Sequence, residues 1–101
     1  MFIELLCIFN CLSCFVFRNK EIDIVTLNEN KKEITFFECK WKNLTYNQSI
    51  KILEELKEKA NYVDWNKKAR KEHFGIVARK IENKENLRKK GFIVYDLNDW
   101  N

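Results

Sequence analysis

The sequence predicts a small α/β domain with the element order β-β-α-β-α-β. Two runs of alternating apolar residues flank a polar turn, a stretch of helical period follows, and two further apolar runs enclose a short basic helix. The first two strands are expected to pair as an antiparallel hairpin, and the helical crossovers to make the later pairings parallel. At 101 residues, 46% of them hydrophobic, the chain can bury one core and is not a disordered tail.

The hairpin is predicted from strands at 20–27 and 32–41, joined by a polar turn at 28–31. The first strand alternates with a period of two residues, which is typical of a half-buried strand. Three of its residues are therefore expected to share one face: Ile22, Ile24 and Thr26.

The first helix is predicted by a capping box, because Thr45 is followed three residues later by Gln48. Its buried stripe has three- and four-residue spacing: Ile52, Leu53, Leu56 and Ala60. The charged residues around that stripe form the predicted exposed face: Glu54, Glu55, Lys57, Glu58 and Lys59. The last three elements are a strand, a helix and a strand at 73–78, 82–90 and 91–97. Gly91 is expected to end the second helix.

An apolar segment at 1–17 differs from everything after it, so we expect two regions, this segment and a domain at 18–101. The segment is predicted to be a buried helix or strand, a truncated or replaced first helix. Membrane association is the second interpretation, because Glu4 interrupts a run that is short for a span. Three cysteines lie in the segment: Cys7, Cys11 and Cys14. Their spacing occurs in some iron–sulfur sites, but apolar flanks favour packing in a core, and the cysteine usage favours a reducing, cytoplasmic compartment.

Three charged side chains of the hairpin form the candidate site. Glu38 and Lys40 are two residues apart on one strand and therefore share a face, while strand pairing brings Asp23 beside Glu38. The two carboxylates, with the backbone carbonyl of Cys39, form a hard-oxygen site for Mg²⁺ or Mn²⁺. Lys40 is then placed to orient a bound water or to stabilise charge that develops on a phosphodiester. The same alternation also fits an exposed, charged strand edge.

A basic stretch between residues 66 and 90 holds ten basic and three acidic residues. Four of its side chains are predicted nucleic-acid contacts: Lys67, Lys68, Arg70 and Lys71. Such a patch binds polyanions by releasing their counterions. A solvated surface explains the same composition equally well.

The hairpin also carries a family resemblance. The residues E-I-D-I-V at 21–25, followed by a polar turn and by F-x-E-C-K-W ending at Trp41, resemble the PD-(D/E)XK nuclease superfamily. More closely, residues 20–100 are similar to the uncharacterised nuclease-like domain at the C-terminal end of archaeal DEXX-box P-loop ATPases. The E-C-K-W motif is the most specific part of this resemblance.

The resemblance implies a small restriction-endonuclease-like mixed sheet and, if the site is active, a Mg²⁺- or Mn²⁺-dependent nuclease acting on DNA. It implies Asp23 and Glu38 as metal ligands and Lys40 as the catalytic lysine. No G-x-x-x-x-G-K-[ST] loop occurs, so no ATP site is expected in this chain. The expected partners are nucleic acid and either an ATPase module in trans or a second copy of the chain; a membrane is not expected.

A non-catalytic interpretation remains open. The nuclease fold usually begins with a helix that bears a further glutamate, and only Glu4 is available for that role. The alternative is therefore a catalytically inactive nuclease-fold interaction module, or a truncated remnant of a larger ATPase.

Overall fold

A five-stranded mixed sheet with two α-helices makes up residues 14–17 and 22–100, the part of the chain that the computed structural model describes. The strands are β1 (Cys14–Phe17), β2 (Ile24–Asn28), β3 (Glu33–Leu44), β4 (Lys71–Ile81) and β5 (Ile93–Tyr95). The helices are α1 (Tyr46–Ala60), α2 (Lys84–Lys89) and a closing 3₁₀ helix (Leu97–Trp100). The strands lie in chain order, antiparallel from β1 to β3 and parallel from β3 to β5. The predicted mixed α/β class is confirmed.

The predicted hairpin forms, but its first strand starts later than expected. β2 begins at Ile24 because Asp23 lies in a bend, and β3 extends to Leu44, beyond the predicted end. The bend also breaks the alternation: Ile22 packs in the large core, whereas Ile24 packs in a small cluster on the other face. The prediction that these two residues share one face was therefore wrong.

Both predicted helix signals are confirmed. The Thr45 hydroxyl accepts from the Gln48 backbone amide at 3.2 Å, and the Gln48 side chain accepts from the Thr45 amide at 2.9 Å, which closes the capping box. After α2, Gly91 has a φ of 94°. The amide of Gly91 donates to Arg88 and that of Phe92 to Leu87, so the helix ends in a Schellman motif.

The two faces of the sheet are covered differently. The main core contains buried residues of both helices and of the strand face beneath them, among them Phe36, Leu56 and Leu87. On the opposite face Phe37 is fully buried and lies directly over Gly75. A Cβ at Gly75 would stand 2.5 Å from the Phe37 ring, so only glycine permits this approach.

An ion-pair network fastens the segment after β5 to the edge of the sheet. The buried carboxylate of Asp96 accepts from the Ile81 amide and from Lys84 Nζ, both at 2.9 Å. Asp99 accepts from Lys84 and from Arg88, each at 3.2 Å. Two acids and two bases are thus paired around the end of β4, which explains why this short segment has a fixed position.

Part of the N-terminal prediction falls within the described residues. Residues 14–17 form β1, an edge strand antiparallel to β2, in which Cys14 pairs with Asn28. Glu4, Cys7 and Cys11 lie outside the described residues. Within the described part of the chain, no helix is long and apolar enough to cross a membrane.

Candidate functional site

The candidate site lies where the sheet narrows to two strands. β2 pairs with β3 only as far as Phe37, and β5 pairs with β4 only as far as Val77. Beyond these residues β3 and β4 continue as a parallel pair. Glu38 directly follows Phe37, so the predicted site residues lie at the point where the pairing of β2 with β3 stops.

Asp23 lies one residue before β2, and its carboxylate takes the place of the backbone group that would otherwise pair with β3. Its Oδ2 accepts a hydrogen bond of 2.9 Å from the Cys39 amide. One further step in the register of the two strands would set Asp23 opposite Glu38. The bend therefore ends the backbone pairing at this position, and the Asp23 carboxylate, rather than a backbone group, lies next to Glu38.

Glu38 is a buried acid in contact with a second acid. It is 5% exposed, and its Oε1 lies 3.2 Å from Lys59 Nζ of α1. Burial and the neighbouring Asp23 charge raise the pKa of Glu38, while Lys59 opposes that rise. Among the described residues, the one ion pair of these two carboxylates is therefore that of Glu38 with Lys59.

Lys40 follows Glu38 on the same face of β3. In the parallel register Glu38 pairs with Ile76 and Lys40 with Ala78, two residues whose side chains belong to the core under the helices. Lys40 is half-buried, and within residues 22–99 its ammonium has no hydrogen bond or ion pair. The Lys40 ammonium, on the same face of β3 as Glu38, is therefore available to a substrate.

The donor chemistry fits a divalent cation of the hard class. Carboxylate oxygens of Asp23 and Glu38 are the ligand type that Mg²⁺ and Mn²⁺ prefer, and their mutual repulsion would be relieved by such an ion. Among the described residues no three Asp, Glu, His or Cys side chains converge. The Cys39 side chain packs with Phe37 on the opposite face, so from this residue only the backbone carbonyl is a candidate ligand.

Arg70 does not belong to the predicted phosphate-binding set in this conformation. Its side chain is 1% exposed and donates to the carbonyls of Val63, Trp65 and Ala60 and to the Glu72 carboxylate. The guanidinium thereby satisfies the loop that joins α1 to β4 and has no donors left on the surface. Sequence reasoning missed this because a buried arginine and a surface arginine look alike in a basic run.

The other predicted phosphate contacts, Lys67, Lys68 and Lys71, are exposed. Lys71 pairs with Glu33 at the start of β3, five residues before Glu38, which is about 16 Å along a strand. Lys71 is thus at the opposite end of the parallel strands from Lys40.

Lys59 is the site residue that the helical pattern did not predict. The helical period placed Lys59 outside the buried stripe, on the exposed face of α1. In the structure its side chain is only partly exposed and reaches Glu38. The one available signal was its place at the rim of the buried stripe, where a long side chain covers the core and keeps its charge at the edge.

Two comparisons give the chain relatives of unknown function. Residues 7–52 match the model of DUF234, a family described as archaeal and bacterial proteins of unknown function. An uncharacterized protein of Methanocaldococcus jannaschii, MJECL04, is 37% identical over 86 residues, which cover 82% of this chain and 18% of that protein. The chain therefore spans less than a fifth of the length of this relative. No solved structure matches it.

Proposed function

We propose that this chain is a nuclease-like domain of the PD-(D/E)XK type that hydrolyses phosphodiesters in DNA with Mg²⁺ or Mn²⁺. The observation that supports it best is the placement of the Asp23 carboxylate, bonded to the Cys39 amide, beside buried Glu38 where β2 ends, with Lys40 on the same face as Glu38. A restriction-endonuclease-like sheet is part of the same proposal. The match over residues 7–52 includes all three side chains but names no activity.

Each residue has a distinct role in the proposed reaction. Asp23 and Glu38, with the Cys39 carbonyl, would hold the ion by hard oxygen ligands. When bound, a divalent ion would supply a water of lowered pKa and neutralise charge on the phosphate. The Lys40 ammonium would orient the attacking water and stabilise the charge that develops on the phosphoryl oxygens. Lys59 keeps Glu38 oriented toward the helix face through the 3.2 Å contact.

In this proposal the domain works in the cytoplasm on nucleic acid, beside an ATPase module supplied in trans or a second copy of the chain. The relative is about five times longer than the matched segment, which is consistent with a domain that acts within a larger assembly.

A second function is favoured by Lys59. Because its ammonium already contacts Glu38, the site has an internal cation and needs no metal to remain folded. A nuclease-like interaction module that has no catalytic activity would keep this ion pair and would need no bound metal.

Cleavage assays separate the two functions. The full chain is incubated with Mn²⁺ and end-labelled single-stranded, duplex and junction DNA. Lys40→Met should slow cleavage by about 10²–10³-fold while Mn²⁺ binding, measured by calorimetry, stays unchanged, since the lysine acts on charge present only in the transition state. Glu38→Gln should lose both cleavage and Mn²⁺ binding.

Lys51→Met is the matched control, because Lys51 is an exposed lysine of α1 with no role in the site. It should cleave as the wild type does. Equal cleavage by the wild type, Lys40→Met and Glu38→Gln would overturn the proposal, and absence of Mn²⁺ binding by the wild type would leave the interaction module as the function.

A further inference from the structure

The parallel pair continues past the candidate site as a two-stranded projection, which we call the β3–β4 extension (residues 40–44 and 78–81). Its register is irregular: Lys40 pairs with Ala78 and Asn43 with Lys80. Two residues of β3 therefore stand against one residue of β4. A bulge of this kind turns side chains away from the regular alternation and is common beside functional sites.

The β3–β4 extension is basic and holds no acidic residue. Four cations lie on it: Lys40, Lys42, Arg79 and Lys80. Lys42, Arg79 and Lys80 are exposed, and Arg79 donates to the neutral Asn43 side chain at 3.1 Å. Within the described part of the chain none of the four forms an ion pair, so their charge faces solvent uncompensated.

Trp41 stands in the bulge between two of these lysines and is 65% exposed. Burial of so large a ring is normally favourable, and this one lies open beside basic side chains. Tyr62, the other strongly exposed aromatic residue among those described, is 89% exposed but has Glu58 and Asp64 in its neighbourhood along the chain. Among the described residues, Trp41 is the strongly exposed aromatic ring whose surrounding segment holds cations and no acid.

We propose that the β3–β4 extension binds single-stranded nucleic acid, with the Trp41 ring stacked on an unpaired base and Lys42, Arg79 and Lys80 on the flanking phosphates. Stacking on an exposed ring needs a base that is not inside a duplex, and clustered Lys and Arg track the backbone. The idea that the extension is the substrate surface of the carboxylate site rests on the proposed function, because Lys40 belongs to both the extension and that site. Strand binding itself requires no metal.

Binding is measured without metal, by fluorescence anisotropy of a 5′-labelled dT12 strand titrated with the full chain in EDTA. Trp41→Ala should weaken binding about 5- to 150-fold, because one base–aromatic stack is worth about 1–3 kcal/mol. Trp41→Phe keeps a ring and should stay within about threefold of the wild type. Tyr62→Ala is the matched control and should bind as the wild type does; circular dichroism checks that each variant is folded.

Salt dependence identifies the cations that contact phosphate. The triple variant Lys42→Gln, Arg79→Gln, Lys80→Gln should reduce the slope of log affinity against log salt by about two units, at about 0.7 per contact on a single strand. The double variant Lys67→Gln, Lys68→Gln should leave it unchanged. The reverse result would assign binding to the loop after α1 and overturn the proposal, as would equal affinities of Trp41→Ala and the wild type.

The outcome is separate from that of the proposed function. Binding through Trp41 without any Mn²⁺-dependent cleavage would keep this inference and refute the nuclease. Cleavage that is insensitive to Trp41→Ala, with unchanged dT12 affinity, would do the opposite.

Discussion

Two aspartates hold the two outer edges of the β3–β4 pair in the same way. Asp23 accepts from the Cys39 amide on one side, and Asp96 accepts from the Ile81 amide on the other, both at 2.9 Å. In each case a carboxylate replaces a neighbouring strand at the point where that strand stops. The hydrogen bonding of the backbone is therefore the same on the two sides.

The charges around the two aspartates differ. Asp96 and Asp99 are matched by Lys84 and Arg88, and although burial opposes it, hydrogen bonds from the Asp96 amide, Arg88 and Lys84 lower the pKa of Asp99. On the Asp23 side, the one ion pair among the described residues joins Glu38 to Lys59, and burial and the Asp23 charge raise the pKa of Glu38. A balanced network needs nothing more, whereas an unbalanced one gains from an added cation. This difference favours the Asp23 side as the place where an added cation would be stabilised.

The largest expected effect is on the balanced side. Asp96→Ala should destabilise the fold by about 3 kcal/mol, because it leaves the buried Ile81 amide without its acceptor and removes the shorter of the two carboxylate contacts of Lys84. The measurement is the midpoint of urea unfolding at an unchanged slope. Asp64→Ala, at an exposed acid, is the control, and equal midpoints for the two variants would show that the network does not hold the fold.

A smaller loss is expected when Lys59, the described ion-pair partner of Glu38, is replaced. Lys59→Met should cost about 1 kcal/mol, since the charge-assisted bond to Glu38 is lost but the lysine is itself partly exposed. Saturating Mn²⁺ should then raise the melting temperature of Lys59→Met by more than that of the wild type, because the ion replaces the missing charge. Lys57→Met serves as the control on the same helix. A variant that gains no more than the wild type from Mn²⁺ would show that Lys59 does not substitute for a metal.

The smallest effect is a difference between two pH profiles. Because the pKa of Glu38 is raised above 4.5 in the fold, its contribution to stability is fully present below pH 4.5 and is lost as the pH rises through the folded pKa. Glu38→Gln should remove this loss. Asp99 has a pKa lowered from 3.8, so its contribution is present above pH 3.8 and is lost as the pH falls through the folded pKa; Asp99→Asn should remove that acid loss. Unfolding free energies measured from pH 3 to pH 8 test both. For each variant the difference from the wild type is plotted against pH, and differences that change with pH in the same direction would contradict the comparison.

The site could be predicted in part from the local pattern. Alternation on β3 put Glu38 and Lys40 on one face, and the hairpin put Asp23 near Glu38, because strand geometry fixes both relations within a few residues. The pairing of Lys59 with Glu38 joins residues from a helix and a strand, 21 positions apart. No period of the sequence encodes a contact of that kind. Whether the three hairpin residues act on a metal stays a prediction.

Local sequence was sufficient for the elements themselves. The capping box at Thr45, the end of α2 at Gly91 and the polar turn before β3 depend on contacts between near neighbours, and the structure has all three. Tertiary structure decided which charges are buried: Arg70 within the loop after α1, and Asp96 beneath Lys84. The physical reason is that desolvation depends on every element packed around a group. Sequence spacing therefore tells where a charge stands along its own strand or helix, while the assembled sheet and helices determine whether that charge meets water, a counter-charge or a second carboxylate.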